Sequence, residues 1–511
     1  MIYQLSTLSA DCLHEIFDHI VEDKPTLYSC LLVNRLWCKI SVRILWRNIW
    51  NYKVIQQQTS LRTVSSILST LIACLPNESK EILRKNKIFI STPTSKSPLF
   101  NYVAFCRVLS ICGIGKIVDK VLRNGTPDKP RNLKNNYYII SNEIIKMFMN
   151  QNTLKQLIYD QKIHQNKFSF TCFLGVKDLS ELRCSSYLTT DFFHRLSQTC
   201  HNLQLITIEF HNNEVSNELK EFISSQKNLK SLVLITYYNN SWATIIPTLK
   251  KHSNTLKKLH LYSYSRNVIV PLSFISSFTN LQEFVLGFYR GTYTEDFKKL
   301  QYAKFPKLQT LKIPYQCPNP EYVMKFLETN GNNLKNLYTV EKNNALSLSI
   351  AKFCPNLRRL FVRFNNGEID ILKKIFINCR YLESIKIWCG EEYLNEKEVF
   401  DTVVNHSPSN FCELKIYNNS KSDFVSPKDL ESFFIKWRNR KSKKSLKLIF
   451  LKDSKINGRR HYGLDEFKEN MKIIENYKNL GVIKFMTKDY IKEEEEEEVI
   501  ENYYFSMLGI M

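Results

Sequence analysis

From about residue 150 the chain repeats one short phrase: an apolar residue, then two more at three and five positions further on. It reads Leu154/Leu157/Tyr159, Leu179/Leu182/Cys184, Leu203/Ile206/Ile208, Leu229/Leu232/Leu234 and Leu256/Leu259/Leu261. It continues through Leu281/Phe284/Leu286, Leu308/Leu311/Ile313, Leu334/Leu337/Thr339, Leu357/Leu360/Val362 and Leu382/Ile385/Ile387. Three looser copies follow, Phe411/Leu414/Ile416, Leu446/Ile449/Leu451 and Leu480/Ile483/Phe485. The thirteen first positions are 25, 24, 26, 27, 25, 27, 26, 23, 25, 29, 35 and 34 residues apart. The last two apolar positions of each copy lie two residues apart, so on a strand they face the same side. One copy cannot bury that side alone. Like copies must therefore stack, each strand beside the next.

The segments between strands read as amphipathic helices with defined ends. Asn319-Pro320-Glu321 offers an N-cap, a proline at the first helical position and an acid in the first turn, and Gly331 supplies a stop. Ser426-Pro427-Lys428-Asp429 repeats that start as a capping-box variant with Asp in place of Glu or Gln. Phrase and period together are the leucine-rich-repeat signature. The expected fold class is α/β: a small three-helix unit at the N-terminus, then a leucine-rich-repeat solenoid, a horseshoe with a curved parallel sheet and helices outside. Cys200, Cys354 and Cys379 each stand three residues before the first Leu of a copy. This resembles the cysteine-containing class of such repeats, and with no His at ligand spacing these thiols read as buried structural residues.

The first fifty residues carry a second signal. Leu13, Ile16, Phe17 and Ile20 form one apolar face of a helix, with Ser9 as N-cap and Asp11 and Glu15 near its positive end. Helices follow over Thr26–Val33 and Arg35–Leu45, with Trp37, Leu45, Trp46 and Trp50 as large anchors. Three helices this short cannot bury their apolar faces among themselves, so they need a partner surface. The order Leu8-Ser9-Ala10-Asp11-Cys12-Leu13, Ile16-Phe17, Leu32-Val33-Asn34-Arg35-Leu36-Trp37 and Leu45-Trp46-Arg47 resembles the F-box over about 45 residues. It departs at Ser9, where the family usually has Pro. The resemblance implies docking onto a Skp-family adaptor, with a cullin behind it, through Leu8, Ser9, Leu13, Ile16, Phe17, Val33 and Trp37. It implies in turn a substrate-recognition subunit of a ubiquitin ligase, with the chemistry on partner proteins.

Between the two signals, residues 51–150 read as a helical linker or cap. Thr63–Cys74 and Tyr102–Leu122 are helical in pattern, Ser91–Pro98 is a loop, and Gly125–Asn136 is a turn-rich linker. The solenoid is expected over 151–490 and an acidic tail over 491–511.

The 511 residues carry 72 Lys+Arg against 49 Asp+Glu, a formal charge of +23. Such a balance first suggests nucleic acid, an acidic membrane or an acidic protein. The docking segment 1–50 is balanced, with five of each sign. Lys436 to Arg460 holds eleven Lys/Arg against Asp453 alone, supplying +10. That segment reads as a solvated loop, a nuclear-localisation signal or a nucleic-acid patch. Glu493–Glu498 is an acidic run, read as folding back on the basic segment or as a solvated helix or tail. No apolar stretch is long enough to span a membrane. Scattered cysteines without a secretory signal point to the cytosol or nucleus.

Catalytic patterns fail. Gly113-Ile114-Gly115-Lys116 lacks the earlier glycine of a phosphate loop and has Ile117 where Ser or Thr would bind magnesium. Of His194, Cys200, His201 and His211, two lie in a helix and its exit while His211 follows a strand, so satisfied or exposed histidines are expected rather than zinc ligands. No cofactor, metal or catalytic residue is assigned. The flanking x positions of the strands remain, and they point away from the core onto the concave face. His260, Tyr262, Tyr338, Arg359, Phe361, Arg363, Lys386, Trp388, Lys415 and Tyr417 fall there as a band of aromatics and cations. Such a band suits a protein interface, with an acidic or phosphorylated target as the expected partner. Two other readings stay open: an F-box scaffold that does not promote degradation, and a basic nucleic-acid-binding solenoid.

Overall fold

A computed structural model describes residues 9–50, 60–90, 98–125, 130–159, 174–211, 215–237, 241–264, 271–289, 294–418, 425–440, 444–452, 467–490 and 493. Leu8, most of the loop at 91–98, parts of the basic run and the acidic run beyond Glu493 lie outside these residues. The chain divides into two compact units, Met1–Lys251 and His252–Met511.

The first unit opens with α1 (Ala10–His19), α2 (Lys24–Cys30) and α3 (Arg35–Arg47). Ser9, Asp23 and Asn34 each accept the backbone N–H three residues on, so all three helices start on a side-chain cap. Ser9 thus supplies a cap where the F-box usually carries proline. Leu13, Phe17, Leu27, Cys30, Ile40 and Ile44 form one small core, with Trp37 packed against it. The end of α3 is fastened to the next part of the unit. Trp46 lies 4.6 Å from Tyr102, and the Trp50 indole donates to the Val108 carbonyl at 2.7 Å.

After α4 (Leu61–Cys74), α5 (Asn77–Lys85) and α6 (Tyr102–Phe105) comes β1 (Val108–Ser110). The sequence suggested unbroken helix over Tyr102–Leu122. A strand interrupts it because Cys106, Leu109 and Ile111 form a further copy of the repeat. β1 pairs in parallel with β2 (Gln156–Tyr159) with Leu109 opposite Leu157, and Cys106, Leu109 and Ile111 are all buried. Its return is the long hairpin of α7 (Ile111–Gly125) and α8 (Pro130–Met149). Most of the expected linker Gly125–Asn136 is thus helical from Pro130 onward, and 126–129 lie outside the described residues. Proline is favourable at the first helical position. Asn135 and Asn136 are carried by a helix that buries Ile140, Ile144 and Phe148. The Gly113–Lys116 segment sits in α7, and the Ser110 hydroxyl accepts the Gly113 N–H at 3.0 Å. β3 (Glu181–Ser185), β4 (Leu205–Phe210) and β5 (Ser231–Thr236) continue the parallel ladder, returned by α9 (Thr190–Thr199), α10 (Asn217–Ser225) and the short α11 (Ile246–Leu249).

The second unit holds β6 (Lys258–Ser263), β7 (Glu283–Phe288), β8 (Thr310–Ile313), β9 (Asn336–Thr339), β10 (Arg359–Phe361), β11 (Ser384–Cys389), β12 (Glu413–Asn418), β13 (Leu446–Lys452) and β14 (Ile483–Asp489). Each is parallel to the next. The returns are a 3-10 turn over Ser273–Ser277, then α12 (Thr294–Phe297), α13 (Pro320–Asn330), α14 (Asn344–Phe353), α15 (Ile369–Asn378), α16 (Glu396–His406), α17 (Pro427–Arg438) and α18 (Lys468–Asn479). Both units are leucine-rich-repeat α/β structures. From Leu259 to Leu414 the second apolar residue of every copy lies opposite its counterpart, as the phrase requires. β13 departs. Leu448 and Phe450, not Ile449 and Leu451, lie opposite Leu414 and Ile416. A one-residue slip sends every side chain to the other face, and Ile449 and Leu451 instead pack with Tyr417.

Adjacent copies are stitched at the helix ends. The Cys379 thiol donates to the Cys354 carbonyl at 3.3 Å, and Gln226 donates to the Cys200 carbonyl at 2.7 Å in the equivalent place. Burial pushes the Cys200 and Cys379 thiols up to about 12, so they stay protonated. The basic run is partly structural too. Arg440 bonds the Ser407 hydroxyl at 2.8 Å and the Ser407 and Pro408 carbonyls after α16, where a cation is favoured. Among the described residues no helix is long and apolar enough to cross a membrane.

Gly331 does not stop α13 through a left-handed conformation, since its φ is −61°. A Cβ there would lie 2.7 Å from the Phe353 carbonyl oxygen and 2.8 Å from the Cys354 sulfur, so glycine is required by the closeness of the next copy. Gly331→Ala should lower unfolding stability by about 1–3 kcal/mol through overpacking. Urea titration of the full chain checks this, and an unchanged midpoint would refute it.

Candidate functional site

Two surfaces collect the residues singled out by the sequence. On the three-helix unit, Leu13 and Phe17 belong to the core, and Trp37 meets Phe17 edge to face at 5.1 Å. They hold the unit together and present little surface. Ser9 is exposed, and so are Ile16 at 46% and Val33 at 56%. Three further apolar side chains, Tyr28, Leu32 and Leu36, are exposed as well, Leu32 at 89%. The Phe17–Trp37 contact sets the segments bearing Ile16 and Leu36 side by side. Helical periodicity ranks residues by face but cannot tell which face the unit's own core consumes. That is why periodicity alone places Leu13 and Phe17 with Ile16.

The second surface is the face of the second unit's sheet opposite the leucine core. Strand register arranges it in rows. The first row runs Lys258, Glu283, Thr310, Asn336, Arg359, Ser384, Glu413 and Lys447. Neighbours along it are bonded: Lys258 to Glu283 at 2.9 Å, Asn336 to Thr310 at 2.9 Å, Ser384 to Glu413 at 2.8 Å and Lys447 to Glu413 at 2.8 Å. The middle row runs His260, Val285, Lys312, Tyr338, Phe361, Lys386, Lys415, Ile449 and Met486. Between these rows opens a pocket of about 280 Å³, lined among others by Lys312, Asn336, Tyr338, Arg359, Phe361, Lys386 and Lys415.

Most of the band is covered within the chain itself. His260, Tyr262, Tyr338, Phe361, Lys386 and Tyr417 are buried, Arg363, Trp388 and Lys415 are half-buried, and Arg359 is exposed. The reason is lateral cover. Parallel strands ~4.8 Å apart bring each ring over its neighbour. Tyr262 lies across Gly287, where a Cβ would come within 2.1 Å of the ring. Tyr338 packs on Phe361 at 4.3 Å, and the Lys386 ammonium lies 4.8 Å from the Phe361 ring and 5.5 Å from that of Tyr338. A buried cation held among π-faces is favourable in such a desolvated place. Beyond it, the Arg363 guanidinium lies 3.6 Å over Trp388, which packs on Tyr393 at 5.1 Å and Tyr417 at 4.7 Å.

Tyr338, Phe361, Lys386, Arg363, Trp388, Tyr417 and Lys415 thus form one neighbourhood. His260 and Tyr262 belong to a separate group with Glu283, the His260 imidazole being 3.0 Å from that carboxylate. Missed by the sequence reading were Thr310, Lys312 and Glu283, which occupy the same flanking positions in their own copies, and two residues no repeat logic could reach, Tyr490 and Glu493. Tyr490 packs on Tyr417 at 4.8 Å and Trp388 at 5.7 Å. Glu493 is 3% exposed and accepts from Lys415 and, at 2.6 Å, from Lys488. Burial works to raise its carboxyl, but the bonds and charges of the two lysines outweigh it and leave the group below its usual value. Glu493, the first residue of the acidic run, therefore sits on Lys415, and the rest of that run lies outside the described residues.

No family model matches the chain, and no curated protein matches it. Among solved structures it is similar to a crystal structure of a Rad7 and Elc1 complex in yeast, at 13% identity and a TM-score of 0.36, covering 88% of this chain and 94% of that one.

The hydrogen bond from His260 is the largest influence on Glu283; burial opposes it, and the charges of His260 and Lys258 add to it, holding the carboxyl at about 2 against an ordinary 4.5. A carboxyl depressed on folding stabilises above its unfolded pKa, and that contribution disappears as pH falls through the folded value. Between pH 5 and 3 the Glu283→Gln variant should therefore lose less stability than the parent. Urea midpoints across that range measure this, and parallel losses would refute it.

Proposed function

We propose that this chain is the substrate-recognition subunit of a cullin–RING ubiquitin ligase. Its three N-terminal helices dock a Skp-type adaptor, and its repeats hold a protein target for ubiquitination and degradation. The observation that carries this reading is the apolar surface left on α1–α3. The order of motifs there resembles the F-box, and Ile16, Tyr28, Leu32, Val33 and Leu36 remain exposed after the unit has built its own core. Exposed apolar side chains grouped on so small a unit mark an interaction surface. Two features fit the division of labour. The Trp46 and Trp50 contacts fasten the docking helices to the first strand of the same unit, so a docked adaptor would be held at a fixed orientation to these repeats. The neighbourhood around Lys386 and Trp388 supplies aromatic area and cations suited to gripping a protein. The chain itself acts by binding, and the transfer chemistry belongs to its partners.

Ile16→Asp and Leu32→Asp should each weaken capture of a Skp-type adaptor at least tenfold while leaving the thermal melt of the chain unchanged. Leu13→Asp should abolish capture by unfolding the three-helix unit, visible as loss of helical circular dichroism. Undiminished capture by Ile16→Asp and Leu32→Asp together would overturn the docking assignment. A retained target that fails to accumulate on proteasome inhibition would overturn the degradative role.

A further inference from the structure

The chain places one of its own segments on the face described above, and the chemistry of that segment identifies what the face selects. Tyr490 and Glu493 are three residues apart, and both reach this face. The tyrosine ring enters the aromatic slot of Trp388 and Tyr417, with the Lys386 ammonium 5.0 Å from its centroid. The carboxylate meets Lys415, the next residue of the middle row after Lys386. Slot and cation thus lie on the paired strands β11 and β12. Two donors beside this slot, the Trp388 indole N–H and the Arg363 Nε–H, are buried without a hydrogen-bond partner. A polar segment lying here has acceptors for both.

We infer that this face binds in trans a short acidic protein segment carrying an aromatic residue and, three positions later, a carboxylate, and that Tyr490 and Glu493 are its intramolecular competitor. The inference rests on the substrate-recognition reading and gives it a target class. The exposed cation of the pocket, Arg359, adds a positive charge between Asn336 and Ser384 in the first row, so a further acid in the target adds to binding. The competitor sets a threshold. A target must displace a segment that is always present at high effective concentration, which excludes sequences supplying charge without the ring or the ring without charge.

The test uses the full chain and a fluorescein-labelled peptide of its own residues 488–498, read by anisotropy. Tyr490→Ala/Glu493→Gln, which empties the site, should bind the peptide at least tenfold more tightly than the parent. Adding Lys415→Glu should abolish that gain, and a peptide with Glu493→Lys should restore binding to the Lys415→Glu chain. Should Lys415→Glu impair folding, as a thermal melt will show, Arg363→Ala and Trp388→Phe take its place, each lowering peptide affinity. Equal affinity for parent and emptied chains overturns the inference. So does equal binding of a peptide of identical composition with the tyrosine moved, or equal displacement by a deoxythymidine oligomer of the same length. Adaptor capture through α1–α3 is measured on the same proteins. Peptide binding lost with capture intact refutes this inference alone, and capture lost with peptide binding intact refutes the ligase reading alone.

Discussion

Everything in this molecule depends on the burial of three apolar side chains per copy between a parallel strand and its return segment, in a register shared with the copies on either side. Each such Leu, Ile or Phe gains about 1.5–3 kcal/mol by leaving water. An isolated copy would lose all of that to the entropy of ordering some two dozen residues. Stacking makes the difference, because each strand's hydrogen bonds and each leucine's contacts are completed by a neighbour. This explains why the copies tolerate such different returns. The 3-10 turn at Ser273–Ser277 and the twelve-residue helix α17 serve the same sheet, since only the buried positions must recur.

Fixing one face of every strand also fixes the other. Side chains between the leucines have nowhere to go but the opposite face, and parallel pairing lines them up at strand spacing. Aromatics arranged this way cover one another, and a cation among them, such as Lys386, is held by ring faces. The result is a surface already desolvated and ordered before any partner arrives. That lowers the side-chain entropy a partner would cost.

The three N-terminal helices obey the opposite rule. Helices of 10, 7 and 13 residues can share only a small core, and Leu13, Phe17, Leu27 and Ile40 consume the best of their apolar faces. The remainder at Ile16, Leu32 and Val33 is an inevitable consequence of the size of the unit, which Trp46 and Trp50 fasten to the first strand.

Much of this was legible in the amino-acid order. The period and phrase determined the parallel strands and their register, because strand parity allows a leucine to face only one side. The caps at Ser9, Asn319 and Ser426 are local chemistry and fell where the sequence placed them. The early copy at Cys106–Ile111 was hidden by a cysteine in its first position and a return of two long helices. The slip at β13 was hidden because Leu446, Leu448, Ile449, Phe450 and Leu451 offer apolar residues to both faces. Only tertiary structure decided that Leu13 and Phe17 are core while Ile16 is surface, and that the predicted binding aromatics shield one another. It alone decided that Glu493 sits on Lys415. A periodic pattern encodes which residues share a face, whereas burial and long-range pairing depend on what the rest of the chain brings to that face.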